Sequence, residues 1–305
     1  MTRQTLYQTS LNYLNNEQLS FSDLKRHRRI LLNKSISTAT AKIYDRYLKK
    51  FEQFACTVSR RPRFNNSTIE LWLVSLKKEG LAYGTIRSHL SALHHHCHKK
   101  GIPISDSPRL CMLLKGIKND SSRPSTKNTV TISHMKRLCA AAEKFGDQEL
   151  KLKTMITLAF FGFLRPSEFC VTNAHHHLLR KSIKIHRKKK SCNLRFNSYK
   201  HGTKPTTIRI DRYSKMQWCP VRLLDNYLKS EQKNRNDPLF DMTPEQFRDI
   251  LTELCTHANI RTKLTPHSFR HGGATWAASM QWSDARIRSH GRWKSDAFKK
   301  YIHSC

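Results

Sequence analysis

With 305 residues the chain is long enough for two ordinary domains, each burying its own core. Its 56 Lys and Arg stand against 22 Asp and Glu, and the resulting charge of +34 repels itself unless solvent or an anionic partner screens it. That excess is spread along the chain instead of sitting beside one apolar anchor, and no stretch reaches transmembrane length, so composition argues for nucleic acid and against a membrane.

Residues 1–35 form a polar N-terminal arm without the apolar core of a secretory signal, and a soluble, intracellular protein is expected. Four segments with helical apolar spacing follow over 36–118. The first carries Ile43, Tyr44, Tyr47, Leu48, Phe51 and Phe54 on one stripe, with Ser37 or Thr38 as its N-cap. The second starts with Ser67 and Glu70 in capping-box spacing and stops at Gly80. A third places Ile86, Leu90, Leu93 and Cys97 on one side and ends at Gly101. The fourth begins at Ser107-Pro108, where Pro fits the first turn, and runs through Leu110, Leu113 and Leu114.

Residues 119–131, NDSSRPSTKNTVT, lack apolar periodicity and predict a linker to a second domain over 132–305. There, 133–145 and 149–164 are expected as helices, the latter apolar enough to be a buried centre. SIKIH at 182–186, NLRF at 193–196 and TTIRI at 206–210 predict a three-stranded antiparallel sheet. Helices are expected again over 220–230, 244–258, 267–279, 283–289 and 294–303. The fold class is thus mostly α with one small antiparallel sheet.

Nine cysteines without a CxxC pair predict reduced thiols. His94, His95, His96, Cys97 and His98 are adjacent on one helix, so they point around it; a polar face is expected there, with no metal site. His175, His176 and His177 have no partner at zinc-ligand spacing either.

Three segments carry candidate chemistry. In FGFLRPSEF, Arg165 follows an apolar helix and needs either Glu168 or an external anion as partner. In TPHSFRHGGAT, Thr265 and Pro266 open a helix that brings His267 and Arg270 to one face, while Gly272, Gly273 and Ala274 permit close backbone approach. Taken alone, such a pair is more often an ordinary surface feature. HGRWKSDAFKKYI ends in Tyr301, which with Phe298 and Ile302 could also be the apolar side of a last helix.

Together the three segments resemble the lambda-integrase type of tyrosine recombinase over residues 36–303, in order and in spacing. CPVRLLDNYL, DPLF, PHSFRHGGAT and GRWKSDAFKKYI look most like the recombinases of Crypton and DIRS-like mobile elements. The resemblance implies a SAM-like core-binding domain at 36–118 and a catalytic domain at 132–305. It implies a site-specific recombinase or integrase of double-stranded DNA that mobilises a transposable element through a 3′-phosphotyrosyl intermediate, without metal, cofactor or ATP. Arg165, Arg270 and His267 would hold the phosphate, Tyr301 would attack it, and a Lys on the β-turn would protonate the leaving 5′-oxygen. Lys200 in NSYKHGTKP matches best, with Lys188, Lys189, Lys190 and Lys204 in the same hairpin region. Where the family has His or Trp after its Gly, this chain has Arg292 after Gly291, then Trp293: either Arg292 donates to the phosphate or Trp293 packs over the Tyr helix. Self-association into a dimer or tetramer on DNA is expected, in the nucleus for a eukaryotic source and otherwise in the cytoplasm. The alternative is a recombinase-derived DNA-binding protein that no longer cuts. A metal-dependent nuclease would need an acidic cluster that this acid-poor chain lacks.

Overall fold

A computed structural model describes residues 20–58, 64–104, 106–121, 128–172, 176–188, 190–198, 204–213, 215–231 and 233–302, without the side chains of Lys300 and Tyr301. The chain divides into two units, Met1–Pro124 and Ser125–Cys305.

The first unit contains α1 (Phe21–Asn33), α2 (Thr38–Val58), α3 (Asn66–Lys78), α4 (Tyr83–Lys100) and α5 (Pro108–Asn119). Helix α1 lies inside the stretch taken as a polar arm: Ser20 accepts the Ser22 N–H, an N-terminal signal that the low apolar content obscured, and no residue of the helix is buried. Ser37 caps α2 by accepting the Thr40 N–H, and Ser107 caps α5 with Pro108 behind it. The expected Ser67–Glu70 box does not form. Asn65 caps α3 instead, which frees Glu70 to pair with Arg109 at 2.9 Å. Gly101 takes the left-handed conformation, φ 69°, that ends α4. Phe51, Ile69, Trp72, Leu73, Leu76, Ile86, Leu90, Leu93, Leu110 and Leu114 build one core, while Ile43 at the head of the predicted α2 stripe stays exposed. The α4 histidines do not form a solvated face: His95 and His96 pack half-buried against Tyr44 and Phe64, and His89 is buried against Tyr47.

The second unit opens with α6 (Ile132–Ala141), a 3-10 segment and α7 (Glu149–Phe161). Helix α7 is apolar on nearly every side and every residue from Thr154 to Phe161 is buried, so it is the central element. The expected helix over 133–145 gives way at Ala142 to the 3-10 segment, in which Gly146 breaks helical geometry. The single turn α8 (Pro166–Phe169) leads to the antiparallel sheet β1 (Ile183–His186), β2 (Ser191–Phe196) and β3 (Thr206–Asp211), with β2 central. Cys192, Leu194 and Phe196 alternate inward along β2. Then come α9 (Pro220–Ser230), α10 (Pro244–His257), α11 (Pro266–Ser279), α12 (Asp284–Gly291) and α13 (Lys299–Ile302). The last predicted helix, 294–303, is divided: Ser295 is extended, a 3-10 turn spans Asp296–Phe298, and α13 is short.

Candidate active site

Helix α7 ends at Gly162, and the next residue, Phe163, adopts the left-handed conformation, φ 47°, that usually falls to glycine. Its ring is fully buried against Ala274, Ala277, Ile287 and Phe298, and this packing holds the backbone there. The Phe163 carbonyl accepts from Arg270 Nη1 and, at 3.4 Å, from Arg292 Nη2. One strained corner therefore gathers side chains from segments more than a hundred residues away in sequence.

Arg165 stands just before α8. The Glu168 carboxylate folds back on it, Oε2 accepting the Arg165 backbone N–H at 2.8 Å and Oε1 accepting Nη1 at 2.9 Å. Glu168 thus takes one end of the guanidinium, and Nε and Nη2 meet no acceptor among the described residues. Glu168 is completely buried, and its Oε2 also accepts Arg292 Nη2 at 2.7 Å. Burial alone would push this carboxyl up; the charges of Arg292 and Arg165, the Arg165 N–H and the charge of Arg270 outweigh it and hold the group below its ordinary range.

Helix α11 starts with Thr265 and Ser268 bonded across its first turn, and Pro266 fits the first helical position. The expected close approach after Arg270 is present: a Cβ on Gly272 would lie 1.9 Å from the Val130 carbonyl oxygen, and one on Gly273 would lie 2.1 Å from that of Phe160. His267 is exposed, with its ring 6.2 Å from that of His271. Arg270 is buried; besides Phe163 it donates from Nη2 to the Gly291 carbonyl at 2.5 Å, and its guanidinium lies 4.0 Å over the Trp293 ring.

Gly291 makes room for that ring, since a Cβ there would fall 1.6 Å from a Trp293 ring carbon. Arg292 follows in the left-handed conformation, φ 55°, with its side chain 1% exposed. It donates from Nη1 to the His290 carbonyl at 2.9 Å and lies 4.3 Å over the Phe196 ring of β2. The neighbouring His290 donates from Nε2 to the Phe161 carbonyl at 2.8 Å. Burial, opposed by that bond but reinforced by Arg292, Arg286 and Arg270, pushes its pKa down to about 4, so the ring is neutral at pH 7.

Tyr301 lies in α13, which packs on α11, the helix carrying His267 and Arg270; the Tyr301 side chain is outside the described residues. Lys200 and Lys189 also lie outside them, whereas Lys188, Lys190 and Lys204 are described and exposed. The structure brings Arg165, Arg270, Arg292 and Trp293 together and puts His267 at the outer end of the same helix as Arg270. Three participants escaped the sequence: Glu168 as a carboxylate shared by two arginines, the Phe163 carbonyl, and His290. Glu168 was visible only as a local partner of Arg165, because nothing in a sequence pairs it with a residue 124 positions later. Among the described residues no group of three or more His, Cys, Asp or Glu could hold a metal, and no helix is long and apolar enough to cross a membrane.

A helical unit followed in sequence by a mostly helical unit with a small three-stranded antiparallel sheet is the fold of a SAM-like N-terminal domain and a phage integrase catalytic domain. The phage integrase family matches residues 128–305, and the phage integrase N-terminal SAM-like domain matches residues 24–98. The chain belongs to the phage integrase family. Among solved structures it is similar to the XerH site-specific recombinase bound to palindromic difH substrate, at 17% identity and TM-score 0.67, covering 100% of this chain and 86% of that one. It is also similar to the Tn1549 transposon integrase in complex with transposon right end DNA, at 15% identity and TM-score 0.60, covering 90% and 93%. A lambda integrase dimer bound to a COC′ core site matches at 16% identity and TM-score 0.60, covering 92% and 75%. No curated protein matches the chain.

Proposed function

We propose that this chain is a site-specific DNA recombinase that cuts and rejoins double-stranded DNA through a covalent bond to Tyr301, without metal, cofactor or ATP. The observation that carries this is the convergence at Phe163 and Glu168 of Arg165, Arg270 and the Gly291-Arg292-Trp293 corner. The remaining Arg165 donors and the exposed His267 suit the non-bridging oxygens of a phosphodiester, whose negative charge grows in the transition state. The Tyr301 hydroxyl oxygen attacks phosphorus and releases its proton to solvent, the bond from phosphorus to the 5′-oxygen breaks, and Lys200 gives that oxygen its proton. The product is a 3′-phosphotyrosine and a free 5′-hydroxyl; attack by another 5′-hydroxyl reverses the step.

The +34 charge supports wide contact with DNA phosphates, and exchange between two duplexes requires a dimer or tetramer on DNA. The lambda integrase dimer on its core site is a precedent in a protein of the same fold. We assign the SAM-like module at 36–118 to DNA binding, 119–131 to a linker and 132–305 to catalysis. The Crypton- and DIRS-like motifs favour a mobile element, and nuclear action in a eukaryotic source.

The test is a suicide DNA substrate followed by denaturing electrophoresis. Wild type should form a protein–DNA adduct, and Tyr301→Phe should form none while keeping its DNA affinity. An adduct in that variant overturns the assignment of Tyr301; binding without any adduct from the wild type favours the alternative of a recombinase-derived protein that binds and does not cut.

A further inference from the structure

Arg292 occupies the place where the resemblance calls for a His or Trp donor, and its surroundings assign it another task. Its side chain is almost fully buried, in a left-handed backbone conformation that a non-glycine residue adopts only when its surroundings enforce it. One edge of the guanidinium bonds to Glu168 at 2.7 Å and reaches the Phe163 carbonyl at 3.4 Å; Nη1 bonds to the His290 carbonyl, and the plane covers Phe196. Glu168 in turn grips Arg165 by Nη1 and by the backbone N–H, setting the direction in which Nε and Nη2 point. Resting on the recombinase assignment, we propose that Arg292 is a positioning residue: through the shared Glu168 carboxylate it fixes Arg165, and it does not touch the scissile phosphate.

The charge pattern supports this. Three guanidinium groups face Glu168: Arg165 from the turn before α8, Arg292 from the end of α12, and Arg270 from α11. His290, neutral at pH 7, lies at the same corner, and His267 and His271 lie on the helix that carries Arg270. Arg292 is the strongest of the influences holding the Glu168 carboxyl low. Without it, burial regains weight and the carboxyl rises, so its protonation on acidification would release Arg165.

The experiment uses full-length protein and single-turnover adduct formation on suicide DNA, with DNA affinity measured in parallel. Arg292→Gln should slow adduct formation, and in an Arg165→Gln background it should add less than about twofold, because residues acting through one group are not additive. A phosphate ligand would instead multiply the two losses, which would overturn the proposal. The Arg292→Gln rate should also fall on acidification at a pH where wild type is flat. Combining it with Glu168→Gln, which cannot titrate, should abolish that fall; an acid limb that persists in the double variant overturns the proposal. The double variant also carries no unpaired buried carboxylate, so the test survives if Arg292→Gln alone folds poorly. Absence of an adduct from the wild type would overturn the recombinase assignment and this proposal together, whereas a wild-type adduct with multiplied losses overturns this proposal alone.

Discussion

The N-terminal module builds its interior from Phe51, Ile69, Trp72, Leu73, Leu93 and their neighbours, and its ion pairs sit at the margin: Arg109, which pairs with Glu70, has an 86% exposed side chain. The C-terminal unit also has a large apolar cluster, yet beside it Arg165, Glu168, Arg270 and Arg292 are all buried. An exposed pair of the first kind is worth about 0–1 kcal/mol. A buried pair is different, because desolvation offsets most of its attraction, while removing one partner costs roughly 3–5 kcal/mol. The module is therefore organised for stability, whereas the second unit maintains a charged interior that an apolar one of equal volume would match or exceed in stability. Such an interior suits the proposed role, in which fixed positive charge is presented to a phosphodiester.

Breaking the contrast at its strongest point means removing a guanidinium from the charged interior. Arg165→Ala or Arg270→Ala should slow adduct formation by hundreds-fold or more, since losing about 3–4 kcal/mol of transition-state stabilisation has that effect. Arg165→Lys should recover little, because an ammonium cannot hold Glu168 with one end of a planar fork and an oxygen with the other. In the module, Glu70→Gln should leave the cleavage rate unchanged. Cleavage by Arg165→Lys at the wild-type rate would remove Arg165 from the clamp.

Legibility in the sequence follows the same division. The helices α9, α10, α11 and α12 and all three strands lie within two residues of their expected bounds, because caps, Pro at the first turn and apolar spacing are local signals. Helix α1 was hidden for the same reason: with no buried residue it leaves no apolar stripe to find. The Ser67–Glu70 box is replaced by the Asn65 cap, and Glu70 pairs with Arg109, a partner from another helix. At the site, the types and order of the arginines were readable, as was the need for small residues at 272 and 273. What Arg292 does was not. Its partner Glu168 and its platform Phe196 are brought to it only by the fold, so both of the alternatives open in the sequence, phosphate contact or a packing role for Trp293, were framed without the carboxylate that Arg292 bonds.

A smaller effect sharpens the contrast through pH. His290 is held neutral, with a folded pKa of about 4 against an unfolded value near 6.5. The unfolded chain therefore takes up the proton first: the stability contributed by neutral His290 is fully present above about pH 6.5 and declines as pH falls toward 4, by at most about 3 kcal/mol. Wild type and His290→Gln should be compared by thermal unfolding at pH 7 and pH 5, with Glu168 common to both proteins. Gln can still donate to the Phe161 carbonyl but cannot charge, so the variant should lose less stability on acidification. His89, His94, His95 and His96 in the module are also pushed down by burial and add the same slope to both proteins, so only the difference between the two is diagnostic. Equal slopes would mean that folding does not lower the His290 pKa.

The smallest expected effects come from two glycines inside helices, one in each unit. Gly272 lies in α11 two residues after Arg270, and a methyl group there would meet the Val130 backbone at 1.9 Å. Backbone cannot rotate away as a side chain would, so Gly272→Ala must push the 128–130 segment off the helix and break the bond from the Val130 N–H to the Ser268 carbonyl. Overpacking of this kind costs roughly 1–3 kcal/mol, and the displaced helix should carry Arg270 with it and lower the cleavage rate as well. Gly116 lies in α5, and a methyl group added there meets nothing within 4 Å. Gly116→Ala should stabilise the chain by about 0.5–1 kcal/mol, because alanine has less backbone freedom to lose in a helix, and cleavage should not change. Chemical denaturation of both variants, read beside adduct formation, checks the pair. If Gly272→Ala proves as stable and as active as wild type, the contact between α11 and Val130 is not what holds Arg270 in place, and the rigidity attributed to the charged corner must come from Phe163 and Glu168 alone.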